Sequence, residues 1–391
     1  MSSPIVLFLP AHDEAEAVGG MVGRVPAEVL GHPVRCVVVD DGSTDATALR
    51  AEAARPFLPQ LRVIRQPNRG KAAALDAALA ATRAPVVAVL DADTWLARDA
   101  LGHLAAPFRD PTVGAVAGRV RVGQRGQLVE ALQAFEYVVA IDFARRAQSA
   151  LNAIVTVPGA CGAFRRATLT RSGGFASPTL AEDTDATLRV HGLGDQRVVY
   201  QPRAIALTEA PAGWRDLFRQ RCRWTTGNLQ CLWRHRRLLG RRGWLGLWAL
   251  PGFLVGHLAM GSTPLVLALA VGFAAHAPAL AVIWSLLHLG MELTAAGLAL
   301  RADGRRLAGL GWLVPQRLAF AGLYVAVFAV VARRLARQRI PGWQKLERLG
   351  LPGAPASAHL EHQLAPRPLG LQPPVSLGRL VEGQHGVDDR P

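Results

Sequence analysis

Eight residues, Val86-Val87-Ala88-Val89-Leu90-Asp91-Ala92-Asp93, constrain this chain more than any other stretch. An unbroken apolar run after Pro85, rich in β-branched residues, fits a strand buried on both faces of a parallel sheet. The run stops abruptly at two carboxylates, and open α/β sheets place their ligands beyond the carboxyl ends of strands. Two acids one residue apart can jointly hold a divalent ion, and such an ion commonly bridges to phosphate oxygens. The same acids would equally serve as a cap for the N–H groups of a following helix. The surrounding sequence has to decide between the two.

Three more apolar runs precede this one, each ending in a polar loop. Ile5-Val6-Leu7-Phe8-Leu9 leads into Pro10-Ala11-His12-Asp13-Glu14, and Arg35-Cys36-Val37-Val38-Val39 into Asp40-Asp41-Gly42-Ser43-Thr44-Asp45. Leu61-Arg62-Val63-Ile64 leads into Gln66-Pro67-Asn68-Arg69-Gly70-Lys71. Helices are expected between the strands: from Glu14 to Val29, interrupted by glycines, over an alanine-rich stretch capped by Thr44 or Asp45, and from Ala72 to Ala81. Strand and helix in alternation predict a doubly wound α/β sheet. Asp13, Glu14, Asp40, Asp41, Lys71, Asp91 and Asp93 all lie at strand ends or in the loops near them, so they should converge at one sheet edge. A dinucleotide-binding domain would need GxGxxG after the first strand; that pattern is missing, which argues against NAD or FAD.

In this order, Pro10-Ala11-His12-Asp13-Glu14, Asp40-Asp41-Gly42-Ser43, Arg69-Gly70-Lys71-Ala72 and Asp91-Ala92-Asp93 resemble the family-2 inverting glycosyltransferases with a GT-A fold. The resemblance implies an α/β nucleotide-diphospho-sugar transferase domain. It assigns Glu14, Asp40 and Asp41, with Pro10 and Ala11 beside them, to the base and ribose of a nucleotide sugar, most simply a UDP sugar. Lys71 and Ala92 join the same donor site. Asp93 is assigned to Mg²⁺ or Mn²⁺ against the diphosphate, with Asp91 bridging the ribose and the metal shell.

Further along, Gly159-Ala160-Cys161-Gly162-Ala163-Phe164-Arg165-Arg166 reads as a small-residue loop entering a helix. Glycines there permit either close backbone approach to a ligand or close helix–sheet packing. Leu180-Ala181-Glu182-Asp183-Thr184-Asp185 resembles the family's (T/E)ED motif, with Ala181 where Thr or Glu is more usual. By that resemblance Asp183 is the general base, and Glu182 lies beside the acceptor. Read alone, Glu182 and Asp185 are acids favoured by the macrodipole at a helix start. An inverting transfer needs one carboxylate to take the acceptor hydroxyl's proton as that oxygen attacks the anomeric carbon.

Gln220, Arg223 and Trp224 carry the QxxRW spacing of synthases of cellulose, chitin, hyaluronan and poly-N-acetylglucosamine, and of some glycolipid-forming relatives. Residues three apart share a helix face, so Gln220 and Arg223 can both point at one ligand. The resemblance gives Gln220 to the nucleotide, Arg223 to the diphosphate and Trp224 to the acceptor sugar, whose C–H faces suit an aromatic ring. The same helix, about 212–240, also reads as basic and amphipathic, lying at a membrane surface with Trp214, Phe218, Leu229 and Trp233 towards lipid.

From Trp244 the composition changes. Residues 244–275, 279–300 and 312–332 are apolar stretches of about the 20 residues that one crossing requires, or longer. They predict a transmembrane region over 244–333 behind a domain of residues 1–235. Glu292 falls inside the second stretch, where an acid is a functional candidate by default, with Arg317 of the third as the partner to expect. The basic clusters at Arg301–Arg306 and Arg333–Arg339 fit the positive-inside rule best with an even number of crossings. Residues 350–391, rich in Pro, Gly and His, predict a disordered tail.

The formal charge of +15 is almost all arginine, since Lys71 and Lys345 are the only lysines. Arginines clustered beside apolar segments favour anionic lipid, and no nucleic-acid motif accompanies them. The four cysteines lack metal-site spacing and read as reduced thiols. The N-terminus is too short and uncharged for a signal peptide, which together with the basic clusters predicts a cytosolic catalytic domain and a multi-pass protein of the cell (inner) membrane. The expectation is a metal-dependent transferase that extends a polysaccharide from a nucleotide-sugar donor, with an accessory polysaccharide-export subunit as a further partner. Synthases of this type usually carry membrane helices before the catalytic domain. None precedes the first strand here, so the rival expectation is transfer of one sugar to a lipid acceptor.

Overall fold

The computed structural model describes residues 5–123, 126–175, 178–256 and 271–337. Strand β1 (Ile5–Ala11) leads through α1 (Val18–Val22) and a two-residue strand β2 (Glu28–Val29) into β3 (His32–Asp41). Then come α2 (Thr47–Ala53), β4 (Leu61–Gln66), α3 (Lys71–Ala80) and β5 (Val86–Val89). β4, β3, β1 and β5 are neighbours in that order and all parallel. Register sets Ala11 against Asp40 and Phe8 against Val89, so the carboxyl ends of β1, β3 and β5 open on one edge.

Strand β5 is buried on both faces, as its unbroken apolar run predicts. Val87 and Val89 enter one core layer with Ala74, Leu75, Ala78 and Leu79 of α3. Ala88 and Leu90 enter the opposite layer with Val18, Met21 and Val22 of α1. Each valine, leucine or methionine among them contributes roughly 1.5–3 kcal/mol by leaving water.

The chain continues through β6 (Trp95–Leu96), α4 (Ala100–Ala105) and β7 (Val113–Val122). Helix α5 (Leu128–Glu136) runs through a π-helical turn, Tyr137–Asp142, into α6 (Phe143–Ala150). β8 (Gly162–Arg165), α7 (Arg166–Arg171), α8 (Glu182–Leu193) and β9 (Arg197–Thr208) complete the sheet. Here the fully parallel expectation gives way to a mixed sheet. β8 pairs antiparallel with β5 and with β7, and β9 runs parallel to β7. Gly162 lies opposite Val89, so the loop before β8 sits at the ligand edge and carries Gly159 there.

Local departures have local causes. The expected helix from Glu14 to Val29 is only the five residues of α1, which stops at Gly23 with Pro26 close behind. Residues Gly162–Arg165 form a strand before α7, not a loop. Thr44 does not cap α2: its N–H donates to Asp13 Oδ1 at 2.7 Å, whereas Asp45 Oδ1 accepts from Thr47 N at 2.9 Å.

Helix α9 (Trp214–Arg234) occupies the QxxRW segment, followed by α10 (Leu245–Gly256), α11 (Pro278–Ala302) and α12 (Leu313–Ala336). Among the described residues two helical stretches, Pro278–Ala302 and Leu307–Ala336, are long and apolar enough to cross a membrane, matching the expected 279–300 and 312–332. The expected stretch 244–275 is described only in part: Leu245–Gly256 is helical, and residues 257–270 lie outside the described residues, as does the 350–391 tail. Glu292 of α11 accepts from Arg317 of α12 at 2.6 and 2.9 Å, the expected pair.

Packing of α12 on α9 corrects one expectation. Phe218 and Leu229 turn towards Val327 and Val331 of α12 with Cys222, not towards lipid. Trp214 and Trp233 are exposed as expected, Trp233 by 72%. The carboxyl end of α11 is pinned to the sheet by Asp303, whose buried carboxylate meets Arg119 and Arg121 of β7 and Arg305. Arg119 in turn meets Asp142 of the π-helical turn at 3.3 Å. Charges removed from water in this way are tolerated only when paired.

Candidate active site

A cavity of about 1160 Å³ opens at the carboxyl edge of the sheet. Its wall includes Pro10, Ala11, Glu14, Asp41, Lys71, Asp91, Ala92, Asp93, Glu182, Asp183, Gln220, Arg223 and Trp224. Every residue that the resemblance assigns to the site thus lines the cavity except Asp40. That carboxylate turns back into its own loop, where Oδ1 accepts from Ser43 N at 2.9 Å.

Short loops do the positioning. Asp41 accepts from Gln66 Nε2 at 2.7 Å, from Arg69 N at 3.0 Å and from Gly70 N at 2.8 Å, which shapes the turn that presents Lys71. Gly42 is required beside it: φ is +73°, and a Cβ there would lie 2.6 Å from Asn68 N. His12 Nδ1 donates to the Asp41 carbonyl at 2.9 Å and closes the first loop onto the second. Buried Glu14 is held through its own N–H, which donates to Thr47 Oγ1 at 2.7 Å.

Lys71 is the electrostatic centre. Its Nζ lies 2.6 Å from Asp91 Oδ1 and 3.0 Å from Glu182 Oε1. Burial works against its charge, but Asp91, Glu182 and Asp183 outweigh that and hold its pKa above the usual lysine range. Gly159 comes so near that a Cβ would sit 2.7 Å from Nζ. The small-residue loop therefore serves close approach to the site.

Asp183 stands in the first turn of α8, its oxygens accepting from Thr184 N at 2.7 Å and Gly159 N at 3.3 Å. Burial and then the neighbouring Glu182 raise its pKa above the ordinary carboxylate value, while Lys71 and the two N–H groups pull the other way. A raised pKa makes a carboxylate a better proton acceptor once it is ionised. Asp185, by contrast, is wholly structural: it is buried and held by Arg189 at 2.9 Å and by His235 at 2.8 Å. Ala181 packs tightly against α9, where a Cβ on Gly227 would meet its Cβ at 2.8 Å.

Asp91 and Asp93 bound the cavity at the end of β5, and among the described residues no group of three or more His, Cys, Asp or Glu side chains could hold a metal by itself. Two carboxylates plus ligand phosphates and water are what Mg²⁺ usually takes, so the acids present suit an ion that arrives with a diphosphate. The ion pair with Lys71 offsets part of the charge of Asp91.

On the far side, α9 contributes Gln220, Arg223 and Trp224, and Gln220 Oε1 accepts from Gln133 Nε2 at 3.2 Å. Helices α5 and α6 supply Glu136, Tyr137, Arg145 and Gln148, which the sequence reading missed. A signal was present: Gln133 and Glu136 stand three apart in the otherwise apolar run Ala131–Val139, and Gln127 and Glu130 form a capping box in front of it. Apolar helices close the cavity, with Gly252, Phe253 and Gly256 from α10 and Phe320, Ala321 and Tyr324 from α12.

Residues 7–172 match the model of the glycosyl transferase family 2. The chain is 28% identical over 231 residues to poly-β-1,6-N-acetyl-D-glucosamine synthase of Staphylococcus aureus (strain COL), covering 59% of this chain and 56% of that protein. The Staphylococcus epidermidis enzyme of the same name is 30% identical over 232 residues, with the same shares. The chain therefore spans little more than half the length of these curated relatives. Among solved structures, the mannosyltransferase PcManGT from Pyrobaculum calidifontis, in complex with GDP-Man and Mn²⁺, superposes with a TM-score of 0.53 at 23% identity, covering 84% of this chain and 87% of that one. The fold is the GT-A nucleotide-sugar transferase fold.

Proposed function

Because residues 7–172 form a family 2 glycosyltransferase domain, we propose that the chain is an inverting transferase that moves a sugar from a UDP sugar to the hydroxyl of a growing polysaccharide. The observation that carries this reading is the meeting, in one cavity, of the Asp91–Asp93 acids, the Lys71–Asp183 cluster and Trp224. Pro10, Ala11, Glu14 and Asp41 hold the nucleoside, and Lys71 and Arg223 face the diphosphate. Asp40 acts from behind by shaping the loop. Asp93, with Asp91, holds Mg²⁺ or Mn²⁺, which when bound offsets charge on the diphosphate.

Trp224 supports the acceptor sugar, and Glu182 holds Lys71 beside it. Asp183 accepts the proton of the acceptor hydroxyl while that oxygen forms its bond to the anomeric carbon. The bond from that carbon to the diphosphate oxygen breaks on the opposite face, and the nucleoside diphosphate leaves with its electron pair. Lys71 and Arg223 stabilise the charge that develops on it.

We place residues 1–235 in the cytosol and the apolar region 244–333 in the cell membrane, with an export subunit beyond it. A second reading has its own support: the apolar wall from α10 and α12 would also suit a lipid acceptor that receives one sugar. Membranes holding the full chain, incubated with labelled UDP-N-acetylglucosamine and Mg²⁺ or Mn²⁺, should yield a long polymer that chelator abolishes. A single-sugar product extractable into organic solvent would favour the second reading. No transfer from this or any other sugar nucleotide would refute both.

A further inference from the structure

Between Gln220 and Arg223 stands Arg221, the bulkiest fully buried side chain among the described residues. Its Nη2 donates to Glu136 Oε2 of α5 at 2.5 Å. The other oxygen of that carboxylate, Oε1, accepts from the Tyr324 hydroxyl of α12 at 3.0 Å. The guanidinium carbon lies 4.4 Å from the centre of the Trp224 ring, and 6.0 Å from that of Phe320 on α12. Three helices, drawn from positions far apart in sequence, meet beneath one indole.

The choice of residue type calls for a reason beyond filling space. A buried arginine is offset only by a well-placed acid, and an apolar side chain would fill the same volume at no electrostatic cost. What arginine adds is a planar cation, fixed in orientation by Glu136, that can stack on an aromatic face. Glu136, Tyr324 and Trp224 all reach the cavity wall, so the set belongs to the site and not to the hydrophobic core.

We infer that Arg221 is a positioning residue for Trp224, and that Glu136 and Tyr324 fix its plane so that the seating of α12 on α9 sets the tilt of the acceptor platform. This rests on the reading of Trp224 as that platform. The consequence is graded: a disturbance of α12 reaches acceptor binding first and donor binding less, because only Gln220 and Arg223 of the donor side stand on α9 while the nucleoside loops leave β1 and β3.

The test uses the full chain in lipid nanodiscs, labelled with 5-fluorotryptophan, the Trp224 resonance being assigned among nine tryptophans by its loss in Trp224→Phe. Tyr324→Phe removes one hydroxyl and little else. It should move the Trp224 fluorine resonance and raise KM for β-1,6-linked N-acetylglucosamine oligomers about tenfold, with a much smaller change in Kd for UDP. Arg221→Lys keeps the charge but loses the plane, so it should fail to restore either readout. An unmoved resonance with wild-type acceptor KM in both variants overturns the inference. So does a change in UDP Kd that keeps step with acceptor KM, since that reports general loosening. If the wild-type chain transfers no sugar, the activity reading falls by itself, and the fluorine resonance alone upholds or overturns the positioning role.

Discussion

The two sides of the cavity are built by different rules. The donor side comes mainly from three strand ends and the loops that leave them, joined by Gln220 and Arg223, and the turn that presents Lys71 is shaped by contacts spanning 28 and 29 residues, where Asp41 holds Arg69 N and Gly70 N. The acceptor side comes from α5, α9 and α12, where Arg221 reaches back 85 residues to Glu136 and Tyr324 reaches back 188. Local geometry repeats from chain to chain and so leaves motifs, whereas a site assembled from distant helices leaves isolated polar residues in apolar runs. The donor side should therefore be rigid and separable, and the acceptor side should depend on how the apolar helices are seated.

Four substitutions or conditions sharpen or break that contrast, in descending order of effect. Asp183→Asn, where the two sides join, should lower kcat by about 10²- to 10⁴-fold with Kd for UDP unchanged. Transfer surviving at the wild-type rate would move the base elsewhere. Asp303→Asn removes the carboxylate charge that Arg119, Arg121 and Arg305 share at the root of α11. Thermal unfolding in detergent should show a loss of about 3 kcal/mol or more, and an unchanged midpoint would mean that α11 is seated by its apolar contacts alone.

A third prediction concerns pH. Burial holds the pKa of His191 down at about 4 against an ordinary 6.5, and its Nε2 donates to the Ile154 carbonyl. The folded state thus binds this proton less readily than the unfolded state. Stability from this group is complete above about pH 6.5, declines as pH falls, and is lost by about pH 4. The total is on the order of 3 kcal/mol, and His191→Asn should flatten the stability profile over this window. The smallest effect is on the donor side. Gly159→Ala pushes a methyl towards Lys71 Nζ, whose flexible stem gives way, so UDP Kd should weaken only about tenfold. Acceptor KM should not move; if it does, the two sides are not separable.

Legibility in the sequence followed the same division. Val86–Asp93 announced a doubly buried strand with its acids at the ligand edge, Lys71 was found at a strand end, and Asp183 came from the resemblance to the (T/E)ED motif. What stayed hidden has physical reasons. β8 enters antiparallel because its preceding loop must reach the site, and no apolar pattern encodes strand direction. Asp40 looked equivalent to Asp41, yet alternation along β3 and the turn at Gly42 aim only one of them at the cavity. Phe218 and Leu229 read as lipid-facing because an amphipathic helix covered by a second apolar helix has the same periodicity as one lying on a bilayer. Glu136 carried a signal only as a buried acid, and its partner lay 85 residues away.

The most direct test of the account is the stereochemistry of the first bond made. Proton NMR of the product formed from an α-linked UDP sugar reads the anomeric configuration without reference to product length or acceptor. A single carboxylate base at Asp183, with the diphosphate leaving from the opposite face, predicts a β-linked product. An α-linked product would contradict it.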